Sequence, residues 1–206
     1  MIGIIDYGLG NLRSIKSKLS ILGYDSEISD SRSVLELSSH LILPGVGHFG
    51  VAMENIASRG LREVLDELVL IRRKPILGIC LGFQLLSKFS EEGDVAGLGW
   101  INAYTRRYNF QGSSLNLRIP HVGWDQVRVV RDSVLFKDIP SDKRFYFTHS
   151  FFMEEEASSA AVAINEYGQI AVAAVEQGNI FGVQFHPEKS RLHGLKLIDN
   201  FIRFAK

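Results

Sequence analysis

The segment Pro75-Ile76-Leu77-Gly78-Ile79-Cys80-Leu81-Gly82-Phe83-Gln84-Leu85 changes its period at the middle. Ile76 to Ile79 is a continuous apolar run, the pattern of a strand buried on both faces. From Leu81 onward the apolar residues Leu81, Leu85 and Phe89 fall four apart, which predicts a helix. A strand that passes straight into a helix is the repeating unit of a parallel α/β sheet. The same alternation extends toward the amino terminus. Ile2 to Ile5 is a buried run, and after the turn Tyr7-Gly8-Leu9-Gly10-Asn11 the residues Leu12, Ile15, Leu19 and Leu22 form one helix face, stopped by Gly23. Tyr24 to Ile28 predicts a short edge strand, and Leu41 to Leu43 a buried strand closed by Pro44-Gly45-Val46-Gly47. Leu61, Val64, Leu65, Leu68 and Ile71 mark a second amphipathic helix, which Pro75 ends.

Toward the carboxyl terminus the pattern becomes strand-rich. Val127 to Val130, Arg144 to Phe147, Ala160 to Ile164, Ile170 to Val175 and Ile180 to Phe185 are predicted strands. Tyr167-Gly168 and Gln177-Gly178-Asn179 have the composition of hairpin turns. Leu192, Leu195, Ile198 and Phe201 close the chain as a helix. No linker, low-complexity stretch or repeat divides residues 1–206, so the expectation is a single α/β domain with a mixed, mostly parallel sheet and flanking helices.

Composition narrows the function classes. The chain has 206 residues with 23 basic and 23 acidic side chains, a formal net charge of zero that argues against nucleic acid or an anionic membrane as partner. Apolar residues make up 46% and mean hydropathy is +0.06, which suits a chain able to bury a core and excludes intrinsic disorder. No apolar run approaches the ~20 residues of a membrane span. The start, Met1-Ile2-Gly3-Ile4-Ile5-Asp6, lacks a basic n-region, and one cysteine forms no internal disulfide, so a cytoplasmic location is expected.

Gly78-Ile79-Cys80-Leu81-Gly82 has the spacing of a nucleophile elbow with cysteine in the serine's place. The turn presents the thiol at a helix amino terminus, whose partial charge favours thiolate. A free thiol of pKa about 8.5 is only about 3% ionised at pH 7, so a partner base is needed. Among His40, His48, His121, His149, His186 and His193, the candidate is His186, in Gln184-Phe185-His186-Pro187-Glu188. It follows a strand as Cys80 does, and Glu188 is placed to orient its ring. Pro44-Gly45-Val46-Gly47 follows a third strand end and allows backbone N–H groups to face an oxyanion. Gln84 lies one helical turn beyond Cys80, on the same face. Read alone, Cys80 also fits a small buried hydrophobe, and an elbow with a histidine also serves a stand-alone cysteine peptidase or γ-glutamyl hydrolase. Gly8-Leu9-Gly10 lacks the third glycine of a dinucleotide fingerprint, since Arg13 stands there, and reads as a tight turn. Arg72-Arg73-Lys74 reads as a solvated helix cap, and His193 as a surface residue of the last helix. The scattered histidines and single cysteine suggest no metal site.

Gly78-Ile79-Cys80-Leu81-Gly82 and Phe185-His186-Pro187-Glu188 together resemble the class I (triad) glutamine amidotransferase family, first strand to last helix. Asp6 to Leu12, Pro44 to Phe49, His121-Val122-Gly123-Trp124 and Tyr146 to Phe151 look most like its branch of glutaminase subunits of imidazole glycerol phosphate synthase. The resemblance implies a three-layer, flavodoxin-like domain without a cofactor. It implies that Cys80 attacks the side-chain amide of glutamine, with His186 and Glu188 completing the triad. Leu81 and Val46 would hold the oxyanion, the peptide before the valine rotating to complete the hole. Gly47, Gln84, Glu92, His149, Ser150 and Phe151 match positions that hold glutamine. Ammonia would pass to a (βα)8-barrel cyclase as heterodimer partner, against which the family places the segments of Asn11 and Trp124. Asp125 stands where asparagine is usual and Phe151 where tyrosine is, and Arg106 to Arg118 is long and polar. A related branch, with the same triad, delivers ammonia to synthetases of surface-polysaccharide sugars.

Overall fold

A computed structural model describes residues 1–112, 117–154 and 159–204. In its first half, strands β1 (Ile2–Ile5), β2 (Ser26–Ser29), β3 (His40–Gly45) and β4 (Ile76–Cys80) alternate with helices α1 (Leu12–Ile21), α2 (Arg32–Leu37), α3 (Phe49–Ser58) and α4 (Leu61–Asp66). A short helix α5 (Leu81–Gln84) follows β4, then β5 (Phe89–Ser90), β6 (Val95–Ala96) and β7 (Tyr104–Arg107). The second half adds β8 (His121–Gln126), β9 (Arg128–Val129), β10 (Arg144–His149), β11 (Phe151–Glu154), β12 (Ala161–Tyr167), β13 (Gln169–Gln177), β14 (Ile180–Val183) and α6 (Arg191–Ile202).

The main sheet runs β2-β1-β3-β4-β14-β13-β11-β7-β5-β6, with β12 paired to β13 and β9 to β12. The five strands from β2 to β14 are mutually parallel, the order of a flavodoxin-like doubly wound sheet. From β13 outward the pairing is mixed. β8 and β10 form a separate antiparallel ribbon. Successive residues of the parallel strands feed opposite layers: Ile5, Leu41, Leu43 and Ile76 pack with α3 and α4, whereas Ile4, Ile42, Leu77 and Ile79 pack with α1 and α6. That two-sided demand is why these strands are unbroken apolar runs. α1 ends in a Schellman cap, with Gly23 at φ 80°, its N–H on Ser20 O and the Tyr24 N–H on Leu19 O.

Several expectations are corrected. The helix after Cys80 stops at Gln84, and Phe89 belongs to β5. The chain turns there because β5 pairs with β6 and β7, around a turn in which Gly93 and Asp94 both take positive φ. α2 and α3 lie where the sequence pattern predicts no helix. The buried stripe of α3 is Phe49, Ala52 and Ile56, and a central alanine weakens its signal. β2 begins at Ser26 rather than Tyr24, the strand expected at Val127 to Val130 is the short β9, and a longer strand, β8, precedes it where none is predicted. The second amphipathic stripe divides into α4 and a π-helical turn, Glu67–Ile71, with Ile71 exposed. Arg72 and Lys74 are not merely solvated, for Arg72 pairs with Glu67 and Lys74 donates to the carbonyls of Glu36 and Ser38. In α6 the buried face is Gly194, Leu197, Ile198 and Phe201, and Leu192 is 76% exposed. Of the polar segment Arg106 to Arg118, residues 113–116 lie outside the described residues.

Candidate active site

β3, β4 and β14 are neighbours in the sheet, so their carboxyl ends open on one edge. Gly45 pairs with Cys80 and Val183 with Ile79, which brings the Pro44–Gly47 turn, the thiol and the His186 turn together. Cys80 sits at φ 55°, ψ −107°, a conformation costly for a side-chain-bearing residue and found where a turn must present a nucleophile. Neighbouring glycines make it possible. A Cβ on Gly78 would stand 2.7 Å from the Gly82 carbonyl oxygen, and one on Gly82 would overlap the carbonyl oxygen of Leu43. A Cβ on Gly45 would come 2.8 Å from that of Leu81.

His186 is tied to the ribbon through its backbone, its N–H donating to Tyr146 O at 2.8 Å. Ser190 Oγ donates to His186 O at 2.6 Å and accepts the Tyr146 N–H at 3.0 Å. Pro187–Lys189 form a 3-10 turn that folds Glu188 back, so that His186 Nδ1 lies 2.8 Å from Glu188 Oε1. Both side chains are buried, and the carboxylate fixes the proton on Nδ1, leaving Nε2 with no hydrogen bond among the described residues. Burial pulls the His186 pKa down, but the nearby Cys80 sulfur and the Glu188 carboxylate hydrogen-bonded to its ring together outweigh it and raise it to about 9.

Cys80 opens onto a cavity of about 410 Å³. Val46, Gly47, Leu81, Gln84, Glu92, His149, Ser150 and Phe151, all named from the sequence, line it with Pro120 and Thr148. His186 and Glu188 are not on its wall; with Asn11 and Val46 they border an adjoining cleft. In the turn ahead of α3, Val46 is 41% exposed and Gly47 takes φ 119°. Glu92 Oε2 accepts the Phe49 N–H at 2.8 Å, tying the cavity wall to the first turn of α3. His149 Nδ1 donates to Phe151 O at 2.8 Å, which makes Nε2 a lone-pair acceptor. Burial lowers the His149 pKa to about 3, so the ring is neutral throughout the physiological range. Phe151 is used here through its carbonyl, a contact indifferent to the missing phenolic hydroxyl. Asp125, the other departure, accepts from Asn165 Nδ2 at 3.0 Å and faces His121 Nε2 at 3.3 Å, joining β8 to β12.

Trp124 is 39% exposed on β8, with the Arg191 guanidinium 4.9 Å from its ring centroid. Tyr146 connects it to the site, its ring 6.0 Å from Trp124 and 6.4 Å from His186. Thr148, Gln184 and Ser190 also meet the site, in places for which the sequence predicts no role. Gln184 Nε2 and Thr148 O each lie 3.9 Å from Cys80 Sγ. Ser190 carried no signal, since serine before a helix reads as an ordinary cap.

The chain matches the class-I glutamine amidotransferase family model over residues 4–204. It is 41% identical over 201 residues to imidazole glycerol phosphate synthase subunit HisH of Leptospira interrogans, covering 98% of each chain. Subunit HisH 2 of Methanococcus maripaludis is 42% identical over 205 residues, the full length of both. The fold resembles a crystal structure of a glutamine amidotransferase with a TM-score of 0.73 at 19% identity, covering 98% of this chain and 96% of that one. For PurLQS from Thermotoga maritima the TM-score is 0.70 at 21% identity, covering 100% and 98%.

Proposed function

The chain belongs to the class-I glutamine amidotransferase family, and we propose that Cys80, His186 and Glu188 are the triad with which it releases ammonia from glutamine. It is the glutaminase subunit of imidazole glycerol phosphate synthase, in histidine biosynthesis, an assignment that full-length relatives of that name support. The observation that carries the triad is the His186–Glu188 contact of 2.8 Å beside a cysteine held at positive φ on a cavity wall.

Cys80 thiolate attacks the glutamine side-chain carbonyl carbon, and the carbonyl π-electrons move to oxygen. Backbone N–H groups of Leu81 and Val46 take up that oxyanion. As the C–N bond breaks, His186 delivers its Nε2 proton to the leaving nitrogen, and neutral ammonia departs from a γ-glutamyl thioester. His186, now neutral, draws a proton from water. The hydroxide attacks the thioester carbon, the C–S bond breaks, and glutamate leaves with the thiolate restored. Glu188 keeps the ring in the required tautomer and balances imidazolium charge.

The wall supports glutamine as the substrate. Gln84 spends both N–H groups on Phe151 O (2.8 Å) and Gln184 Oε1 (3.0 Å), leaving its carbonyl oxygen free to accept. With the Glu92 carboxylate and the His149 lone pair, it makes an acceptor-rich lining suited to the α-ammonium and amide N–H groups. Gly47, Ser150 and the Phe151 backbone complete the enclosure. Ammonia is handed to a (βα)8-barrel cyclase docked over the face that carries Asn11, Val46 and Trp124. Glutamate release by the purified chain, alone and mixed with that cyclase plus its ribonucleotide ligand, tests this reading. Low activity alone, a rise of orders of magnitude in the mixture, and loss of both in Cys80→Ser are expected. High activity without partner would make it a free-standing hydrolase, and activation only by a sugar-amidinating synthetase would move it to that branch.

A further inference from the structure

Behind Cys80 runs a pair of buried amides, Gln84 and Gln184, and the reaction above gives Gln184 no role. The Phe151 carbonyl can only accept. Gln84 Nε2 donates to it at 2.8 Å, so the NH2 end of Gln84 is fixed. The same nitrogen donates at 3.0 Å to Gln184 Oε1. That fixes Gln184 in turn, with its oxygen toward Gln84 and its NH2 toward Cys80 Sγ at 3.9 Å. Gln184 is fully buried, so water does not compete for that donor. The Thr148 carbonyl, also 3.9 Å from the sulfur, can accept from the thiol but faces a thiolate lone pair to lone pair. An N–H does the reverse, since a hydrogen bond strengthens when its acceptor is ionised.

We propose that Gln184 is a positioning residue for the nucleophile, its Nε2–H steadying the Cys80 thiolate while Phe151, through Gln84, locks the amide in the donating orientation. The proposal rests on Cys80 being the nucleophile and not on which amide it attacks. Burying two glutamines is costly unless their groups are paired, and here the pairing ends on sulfur.

Cys80 is the chain's single cysteine, so the rate of its alkylation by iodoacetamide against pH reports this thiol alone. The other ionisable groups around it are Tyr7 at the end of β1, Glu92 after β5, His149 on β10, and His186 and Glu188 after β14. All stay in place in Gln184→Met, which keeps length and volume and removes the N–H. The midpoint of the profile should rise by about one pH unit, which slows alkylation about tenfold below the midpoint. A folded Gln184→Met whose profile overlays that of the wild type overturns the proposal. Should the variant not fold, the wild-type chain decides the matter by NMR. The Gln184 side-chain amide resonances should shift as Cys80 titrates and cease to do so in Cys80→Ala, and resonances indifferent to that titration overturn it equally. Neither measurement uses glutamine turnover, so a failed glutaminase assay and a failed proposal are distinguishable.

Discussion

The Cys80 sulfur and the Glu188 carboxylate are placed so that both favour the charged form of His186. The His186 pKa, near 9 against about 6.5 in the unfolded chain, makes this pairing part of the stability as well as the chemistry. A raised pKa means the folded state holds its proton more tightly. The contribution is therefore full below about pH 6.5 and is lost as pH rises through 9. The urea midpoint of the wild type should fall more over that interval than the midpoint of Cys80→Ser, and parallel curves would contradict the pairing. Glu188→Gln removes the charge and keeps the shape. Its kcat should drop about a thousandfold or more with KM little changed, because the ring loses its tautomer and its counter-charge. Steady-state glutaminase kinetics of the two proteins give the comparison.

The element that decides the geometry is the β4–α5 elbow, and its tolerance to change is set by close backbone approach. Gly82→Ala pushes a methyl group into the carbonyl oxygen of Leu43, on the neighbouring strand. Neither partner is the flexible end of a side chain, so β3 and α5 must move apart. The expected cost is about 3 kcal/mol or more, or roughly 6–12 °C in Tm for a chain of this size. Gly99→Ala is a useful control, because its Cβ would meet nothing within 4 Å and only the φ of 71° resists it. Similar melting points for the two variants would mean that the elbow relaxes more readily than its contacts suggest.

On the scale of the whole molecule, the strand ends collect the chemistry on one edge and the β8–β10 ribbon stands beside it. Trp124, braced by Arg191, is the large aromatic side chain left half-open near that edge. Aromatic anchors of this kind carry a disproportionate share of docking energy. Trp124→Ala should weaken binding of the proposed barrel cyclase at least tenfold while leaving the melting point nearly unchanged, as calorimetric titration and thermal unfolding would reveal. An unchanged Kd would place the docking surface elsewhere.

The core strands, the elbow and the His186 turn were legible because each is a local pattern: unbroken apolar runs, two glycines around a cysteine, a histidine two residues from a carboxylate. The order in which strands lie side by side is set by non-local pairing, and on it depends the meeting of Gly45, Cys80 and His186. Local periodicity also misled where a short apolar pattern served another element, as Phe89 does in β5 and Leu192 on the open face of α6. Gln184 and Ser190 were invisible for a related reason. Their meaning is a hydrogen-bond partner far away in the chain, Gln84 in one case and Tyr146 in the other, and no spacing along the sequence encodes that meeting. Residue types and local turns thus specify which chemistry is available, whereas packing of distant segments sets which groups touch, which way an amide points and which proton an imidazole keeps.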